Sequence, residues 1–229
     1  MIKNNYTEII DLYIKKLEQE LKQNLKLIYI IGSSATEDVI VNWSDIDCII
    51  VLNDYAKRDI EIIKEISNSF SVKVGNTIYS RKEFEKGIID PKTYYYLLLQ
   101  KNNFLNFQYK SDDLLIPNVN LDECKRITKT ILTMDLHNCK RLLTYKEINN
   151  NQIKTLFKKI YVIMKSLLII NNYTPKNYKE TFGLFCEIFK FEYFDYLVFI
   201  NDFKNDKVDP NKLKDYALNL IVYITNNLL

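Results

Sequence analysis

The chain has 229 residues, of which 47% are hydrophobic and 27% charged, and its formal net charge is +3. This apolar content is enough for a hydrophobic core and excludes a disordered chain, and the mild, mixed charge argues against a nucleic-acid partner, because strong nucleic-acid binders carry a basic stripe. With only 4 Gly and 4 Pro the chain has few turn residues, which favours a helix-rich fold over an all-β one.

The N-terminal part of the chain alternates between helical and strand patterns. Residues 5–24 repeat apolar side chains near the helical period and predict an amphipathic helix. Residues 27–31 and 46–52 are short, apolar and β-branched, so both predict buried strands. A second helix is expected over residues 57–70, and residues 71–79 alternate between two faces as a third strand would.

Two capping signals mark the helices that follow. Ser80 and Glu83 have the spacing of a capping box, which predicts a short helix over residues 81–86. Asp90 precedes a proline, as an N-cap residue often does, and predicts a helix over residues 91–102. The Tyr-Tyr-Tyr-Leu-Leu-Leu run of that helix is apolar nearly all round, so the helix is expected to be well buried.

The rest of the chain is predicted to be helical. Residues 104–109 are a candidate edge strand, and the domain boundary is placed near Pro117. The helices predicted after it cover residues 122–149, 153–171, 178–189, 192–203 and 211–227. Helices joined by short loops pack as an antiparallel bundle. The predicted fold class is therefore α+β, with a mixed sheet flanked by helices in residues 1–116, followed by an all-α helical bundle in residues 117–229.

Cysteine spacing and hydropathy limit the cellular setting. The four cysteines, Cys48, Cys124, Cys139 and Cys186, have neither metal-ligand nor redox-motif spacing and are expected to be free thiols. No apolar run is long enough to span a bilayer, and the first residues do not show the basic and then apolar pattern of a signal peptide. We therefore expect a cytoplasmic protein without a membrane partner.

The turn after the first predicted strand has the features of a phosphate site. Gly32 ends the strand and leads into a predicted short helix over residues 33–37. Glycine allows the backbone to approach a ligand closely, and the N–H groups at a helix N-terminus attract phosphate. Ser33 and Ser34 add hydroxyl donors, so all three residues are candidates for nucleotide binding.

A pair of carboxylates opens the next predicted strand. Asp45 and Asp47 are two residues apart, so their side chains project to the same face. Two close carboxylates are costly unless a cation lies between them, and Mg²⁺ commonly binds one or two carboxylates together with substrate phosphates. The two segments predict a nucleoside triphosphate held through Mg²⁺. The alternative is that a Gly-Ser turn and an Asp-rich turn simply cap ordinary strands.

The combination of these two segments resembles a known signature. A Gly-Ser pair after an apolar strand, followed by Asp-Ile-Asp opening the next strand, resembles the DNA polymerase beta-like nucleotidyltransferase superfamily. The longer form, Gly-Ser-Ser-Ala and then Trp-Ser-Asp-Ile-Asp, is similar to small bacterial aminoglycoside and lincosamide nucleotidyltransferases. The resemblance implies a nucleotidyltransferase fold in the first domain. It also implies that the helical bundle faces the site across a cleft and helps to form a homodimer.

The resemblance also implies an activity. The implied activity is the Mg²⁺-dependent transfer of a nucleoside monophosphate to a hydroxyl of a small molecule, with AMP from ATP as the leading case. The implied acceptors are antibiotics such as an aminoglycoside or lincosamide, so the implied role is antibiotic resistance. Two other classes stay open: a protein- or RNA-directed nucleotidyltransferase, and a non-catalytic nucleotide-binding module of the same fold.

One expected residue is missing from the pattern. Members of the superfamily usually place a third carboxylate on a later strand, but residues 71–79 contain no Asp or Glu, and Asn76, or Lys73 on the other face, occupies that neighbourhood. Glu83 is the first acid after this strand and is the candidate third catalytic carboxylate. The alternatives are an acid from the helical half, a site with one metal ion, or lost catalysis.

Two basic residues of the helical half are further candidates. Arg141 is a candidate triphosphate ligand, since the planar donors of a guanidinium suit phosphate, and a solvated helix charge is the alternative. His137 is the only histidine; it either lies on a helix surface, exposed or partly buried, or faces the cleft as a general base or as a ring stacked on the nucleotide.

Overall fold

The computed structural model describes residues 2–36, 39–40 and 43–228, and the side chains from residue 6 onward within those ranges. The chain divides into two compact units, Met1–Asn120 and Leu121–Leu229. The assignment of residues 1–116 and 117–229 as a nucleotidyltransferase domain and a helical domain stays a prediction. No described helix is both long enough and apolar enough to cross a membrane.

The first unit contains a four-stranded mixed sheet with helices on both faces. The elements in chain order are α1 (Ile2–Leu21), β1 (Leu25–Ile31), β2 (Ile46–Leu52), α2 (Lys57–Asn68), β3 (Val74–Ser80), α3 (Arg81–Glu85), α4 (Pro91–Lys101) and β4 (Tyr109–Lys110). The strand order is β3-β2-β1-β4. Strand β2 pairs with β1 in antiparallel and with β3 in parallel orientation, so it lies inside the sheet.

Both faces of β1 and β2 are buried apart from Lys26 and Asp47, which explains why all their other residues are apolar. Alternate residues such as Ile28 and Ile50 pack with α1 and α2 in one hydrophobic cluster. The residues between them point to the other face, where the hydroxyl of Tyr29 donates to the carbonyl of Tyr96 in α4 at 2.8 Å. As predicted, the middle of α4 is buried from Tyr94 to Leu99.

The second unit is helical in its described residues. Its elements are α5 (Leu121–Leu143), α6 (Asn150–Ile170), α7 (Tyr178–Phe189), α8 (Tyr196–Lys204) and α9 (Pro210–Asn227). Aromatic rings fill much of its interior, with the ring of Phe157 stacked on that of Phe199 at 4.5 Å between centroids. Asp135 of α5 is buried, with only 5% of its surface exposed. Its carboxylate forms an ion pair with Lys159 of α6.

The predicted fold class is confirmed: a mixed sheet with flanking helices is followed by a helical region. The four cysteines are free, as expected. The edge strand predicted over residues 104–109 is wrong except at its last residue. Strand β4 is Tyr109–Lys110, because only the backbone near it pairs with β1, through Gln108 N–H to the Ile28 carbonyl and Ser111 N–H to the Lys26 carbonyl.

Candidate functional site

Asp47 lies where three strands meet. In the sheet register it faces Ile31, the last residue of β1, and Gly75 near the start of β3. Asp45 lies just before β2, and the following backbone N–H, of Ile46, donates to the carbonyl of Lys73 at 2.9 Å. The two carboxyl side chains are 34% and 38% exposed, so their oxygens are accessible to a ligand.

Gly32 lies next to the Asp47 carboxylate, with no room for a side chain between them. Its φ is +75°, and a Cβ added to it would lie 2.9 Å from Oδ2 of Asp47. A side chain at this position would therefore be disfavoured twice, by the left-handed backbone and by the collision with a carboxylate oxygen. The two halves of the sequence signature thus meet in the folded chain.

The turn that follows differs from the predicted helix. Gly32–Ala35 form a single 3₁₀ turn, and Glu37, the last residue of the predicted helix, lies outside the described residues. The hydroxyl of Ser34 donates to the carbonyl of Ile31 at 3.0 Å, which stabilises the turn itself. Ser33 is half-buried, and its carbonyl accepts the Thr36 N–H at 3.3 Å. Of the two serines, Ser33 is therefore the better candidate for a hydroxyl that contacts phosphate.

Gly75, not Asn76, is the residue of β3 that faces Asp47. A Cβ on Gly75 would lie 3.5 Å from Oδ1 of Asp47, which is an ordinary contact distance. Asn76 points to the other face of the sheet, where it accepts the hydroxyl of Tyr13 at 2.6 Å and donates to Ser67 at 2.8 Å. Of the two residues expected in place of a third acid, Asn76 is therefore on the wrong face, because neighbouring strand residues face opposite sides, whereas Lys73 forms an ion pair with Asp45.

Glu83 is not close to the aspartate pair. Ser80 lies five positions beyond Gly75 along β3, roughly 16 Å at about 3.3 Å per residue. There the Glu83 carboxylate accepts the Ser80 N–H at 2.8 Å and its hydroxyl at 2.7 Å, which confirms the capping box. These hydrogen bonds to Ser80 also lower the pKa of Glu83. The structure therefore does not bring Glu83 to the aspartate pair as a third carboxylate, because its oxygens cap α3 at the opposite end of the strand.

Two lysines contact the aspartate pair instead. Nζ of Lys92 lies 2.9 Å from Oδ2 of Asp47, and Nζ of Lys73 lies 3.8 Å from Oδ2 of Asp45. Lys73 is 78% exposed, so its ion pair is a weak surface interaction. Lys92 is the functional candidate that the sequence reasoning missed, because it comes from α4, far from the motif in sequence. The sequence does contain one signal for Lys92, because Asp90 predicts a helix start and so places Lys92 in the first turn of that helix.

Hydrogen bonds to Asp90 fix the start of α4. Its Oδ1 accepts the N–H groups of Lys92 at 2.7 Å and Thr93 at 3.1 Å, as an N-cap residue does. Its Oδ2 accepts the hydroxyl of Thr93 at 2.7 Å and that of Tyr79. Burial opposes ionisation of Asp90, but these hydrogen bonds prevail and lower its pKa, while burial and the bond to Asp90 raise the pKa of Tyr79 to about 12.

Arg141 and His137 belong to the second unit. Arg141 is exposed in the last turn of α5. His137 is exposed in the same helix, and its Nδ1 lies 2.8 Å from the carbonyl of Thr133. Their roles toward a nucleotide stay predictions.

The donor set suits a cation that is shared with a phosphate ligand. Among the residues that the structure describes, no group of three or more His, Cys, Asp or Glu side chains is placed to hold a metal ion. Asp45 and Asp47 offer two accessible carboxylates on one edge of the sheet. Because Mg²⁺ commonly takes one or two protein carboxylates and completes its coordination with water and phosphate, these two residues fit it.

Comparisons with known proteins address the family. No curated protein matches this sequence with significant similarity. A structure of the spectinomycin adenyltransferase AAD(9) from Enterococcus faecialis, solved with ATP and spectinomycin, is similar at 18% identity and a TM-score of 0.46, over 92% of this chain and 98% of that one. The family model described as "Nucleotidyltransferase domain" matches residues 14–162, which is more than half of the chain and includes every residue of the signature. The chain therefore belongs to the nucleotidyltransferase domain family.

Proposed function

We propose that this chain is a Mg²⁺-dependent nucleotidyltransferase that transfers a nucleoside monophosphate, with AMP from ATP as the first case, to a hydroxyl of a small molecule. The observation that carries the proposal is the close approach of Gly32 to the carboxylate of Asp47, in a chain of the nucleotidyltransferase family. This arrangement brings a turn suited to phosphate next to a carboxylate suited to a divalent cation.

In the proposed reaction the acceptor oxygen attacks the α-phosphorus of the nucleotide. A new phosphorus–oxygen bond forms, the bond to the β-phosphate oxygen breaks, pyrophosphate leaves, and the hydroxyl proton passes to solvent or to a base. Such a transfer depends mainly on positioning and on neutralising phosphate charge. Asp45 and Asp47 would hold Mg²⁺, which supplies that neutralisation when bound. Ser33 and the backbone of the 3₁₀ turn would orient the phosphates.

The proposed acceptors are aminoglycosides and lincosamides, on the strength of the longer sequence signature. The test is to incubate the chain with ATP, GTP, CTP or UTP, with Mg²⁺ and a panel of both antibiotic classes, and to look for products by mass spectrometry. A product heavier by one nucleoside monophosphate, formed by the wild type and not by Asp47→Asn, supports the proposal. A panel without any such product contradicts this choice of acceptor. The homodimer implied by the resemblance is tested separately, by light scattering on the purified chain.

A non-catalytic nucleotide-binding module is the second candidate. It is favoured by Gly75, which gives β3 no carboxylate beside Asp47. A thermal-shift screen with the four nucleotides, with and without Mg²⁺, measures nucleotide binding. Product analysis is then needed to separate a binding module from a protein- or RNA-directed enzyme. Nucleotide binding without transfer to antibiotic, protein or RNA would establish the module. Transfer to protein or RNA would move the proposal to that acceptor class.

A further inference from the structure

Lys92 places a positive charge directly on the carboxylate that the proposed reaction needs. Its Nζ lies 2.9 Å from Oδ2 of Asp47, which is the distance of a close ion pair. Its side chain is 50% exposed, so the ammonium is accessible from solvent on its other side. An ammonium has three donors, and the Asp47 contact uses one of them.

The position of Lys92 is set by the same strand that faces Asp47. Gly75 and Tyr79 of β3 are separated by four residues and therefore point to the same face of the sheet. Gly75 faces Asp47, whereas the hydroxyl of Tyr79 binds Asp90, the N-cap of the helix that carries Lys92. The backbone N–H of Lys92 is itself held by Asp90 at 2.7 Å.

Glycine on both sides leaves the Asp47 carboxylate open. Its Oδ2 is the oxygen nearest to Gly32 and its Oδ1 the oxygen nearest to Gly75. No carboxylate is available on β3 to balance a second divalent ion, since the strand reads Val-Gly-Asn-Thr-Ile-Tyr-Ser. A second divalent cation at Asp47 would also be repelled by the ammonium of Lys92 at short range.

We propose that Lys92 takes the place of a second divalent cation at Asp47, so that the chain binds its nucleotide with a single Mg²⁺. This inference rests on the proposed function. Asp45 and Asp47 hold the one metal ion, and the free donors of the Lys92 ammonium contact a phosphate oxygen of the nucleotide. Lys92 thereby positions the nucleotide and carries part of the charge neutralisation that a second ion would carry.

The number of bound ions is the direct test. The chain is saturated with whichever α,β-methylene ribonucleoside triphosphate binds most tightly, and bound Mn²⁺, used in place of Mg²⁺, is counted by electron paramagnetic resonance. We expect one Mn²⁺ per nucleotide complex in the wild type. In Lys92→Met we expect nucleotide affinity about 10- to 100-fold weaker, the effect of losing one charge-assisted hydrogen bond. Lys92→Arg, which keeps the charge, should lose less.

A double variant tests the exchange of charge. Lys92→Met combined with Gly75→Asp removes the ammonium and adds a carboxylate next to Asp47, so we expect it to bind a second Mn²⁺. Gly75→Ala is the matched control, because a Cβ fits there at ordinary contact distance and adds no charge. Lys57→Met is the control for losing an exposed lysine, whose own ion pair with Glu61 spans 3.6 Å on α2. Thermal melting of every variant without nucleotide checks that each is folded.

The outcomes separate this inference from the proposed function. Two Mn²⁺ in the wild-type complex, or unchanged affinity in a folded Lys92→Met, would overturn the role of Lys92 while nucleotide binding stands. The double variant with one Mn²⁺ would also count against it. If neither the wild type nor any variant binds the α,β-methylene analogue of ATP, GTP, CTP or UTP with Mn²⁺, the proposed function itself is wrong.

Discussion

At the residue scale, the chemistry of the candidate site centres on the carboxylate of Asp47. One of its oxygens lies against Gly32 and also binds Lys92, and the other faces Gly75. A carboxylate that is partly exposed and held by a single surface-type ion pair contributes little to folding, on the order of 0–1 kcal/mol. Its surroundings therefore favour a ligand-binding role over a structural one.

Neutralising Asp47 should abolish nucleotide binding and leave the fold intact. In Asp47→Asn we expect the melting temperature without nucleotide to stay near that of the wild type, because only a surface-type ion pair is lost. We expect the Mg²⁺-dependent stabilisation by nucleotide to disappear, since the metal loses one of its two carboxylates. Differential scanning fluorimetry measures both. Asp54→Asn is the control, as Asp54 is exposed and bonded to its neighbour Asn53 at 2.9 Å. Full nucleotide stabilisation in Asp47→Asn would refute the site.

A side chain at Gly32 should damage both the backbone and the site. In Gly32→Ala the left-handed backbone costs about 1–3 kcal/mol, and the new Cβ would collide with Asp47. Gly87→Ala is the matched control, because Gly87 has a φ of +70° and nothing within 4 Å of an added Cβ. We expect chemical denaturation to show a loss of stability in both variants and calorimetry to show lost nucleotide affinity only in Gly32→Ala. Equal nucleotide affinity in the two variants would show that the contact with Asp47 is unimportant.

At the element scale, the N-terminus of α4 is attached to β3 by a small buried network. Asp90 caps the helix and accepts hydroxyls from Tyr79 and Thr93. Tyr79 is 8% exposed and Thr93 is 1% exposed, so breaking these hydrogen bonds would leave buried polar groups unpaired. The network fixes the helix that carries Lys92, and so connects the packing of an element to the charge at the site.

This network should make the stability of the chain sensitive to acid. The pKa of Asp90 is lowered in the folded state, so its contribution is present above the unfolded pKa of about 3.9 and is lost as pH falls further through the folded pKa. We expect Asp90→Asn to lower the free energy of unfolding at pH 7 and the difference from wild type to shrink below about pH 4. Urea denaturation at pH 7 and at pH 3 measures this, with the exposed Asp112→Asn as control. A difference that is the same at both pH values would contradict the role of ionised Asp90.

The elements themselves were largely predictable from sequence, because local signals specify them. Short apolar, β-branched runs identified β1 and β2, alternation identified β3, and the signals at Ser80 and Asp90 identified the starts of α3 and α4. The neighbours of Asp47 were not predictable, because the register of β3 against β2 is a non-local property. For the same reason the sequence alone does not show that Gly75 and Lys92, and not Glu83, lie beside Asp47.

At the scale of the whole molecule, two units with different interiors share one chain. The first has apolar residues on both faces of a sheet, and the second has stacked aromatic rings and the ion pair between Asp135 and Lys159. Multidomain chains commonly depart from two-state unfolding. Because each unit has its own buried core, a change inside one should be separable by spectroscopy from the state of the other.

Removing the buried charge of Asp135 provides this separation. In Asp135→Ala the ammonium of Lys159, whose side chain is 28% exposed, loses its partner, which we expect to cost about 1–3 kcal/mol. The only tryptophan, Trp43, is buried in the first unit, so its fluorescence reports on that unit, whereas far-ultraviolet circular dichroism reports on helices of both. We expect urea to remove part of the helical signal at lower concentration in this variant while the midpoint of the tryptophan signal stays close to wild type. Asp122→Ala, which removes a 95% exposed carboxylate from the same helix, should change neither midpoint by much. A shift of both probes by the same amount in Asp135→Ala would mean that the two units unfold as one.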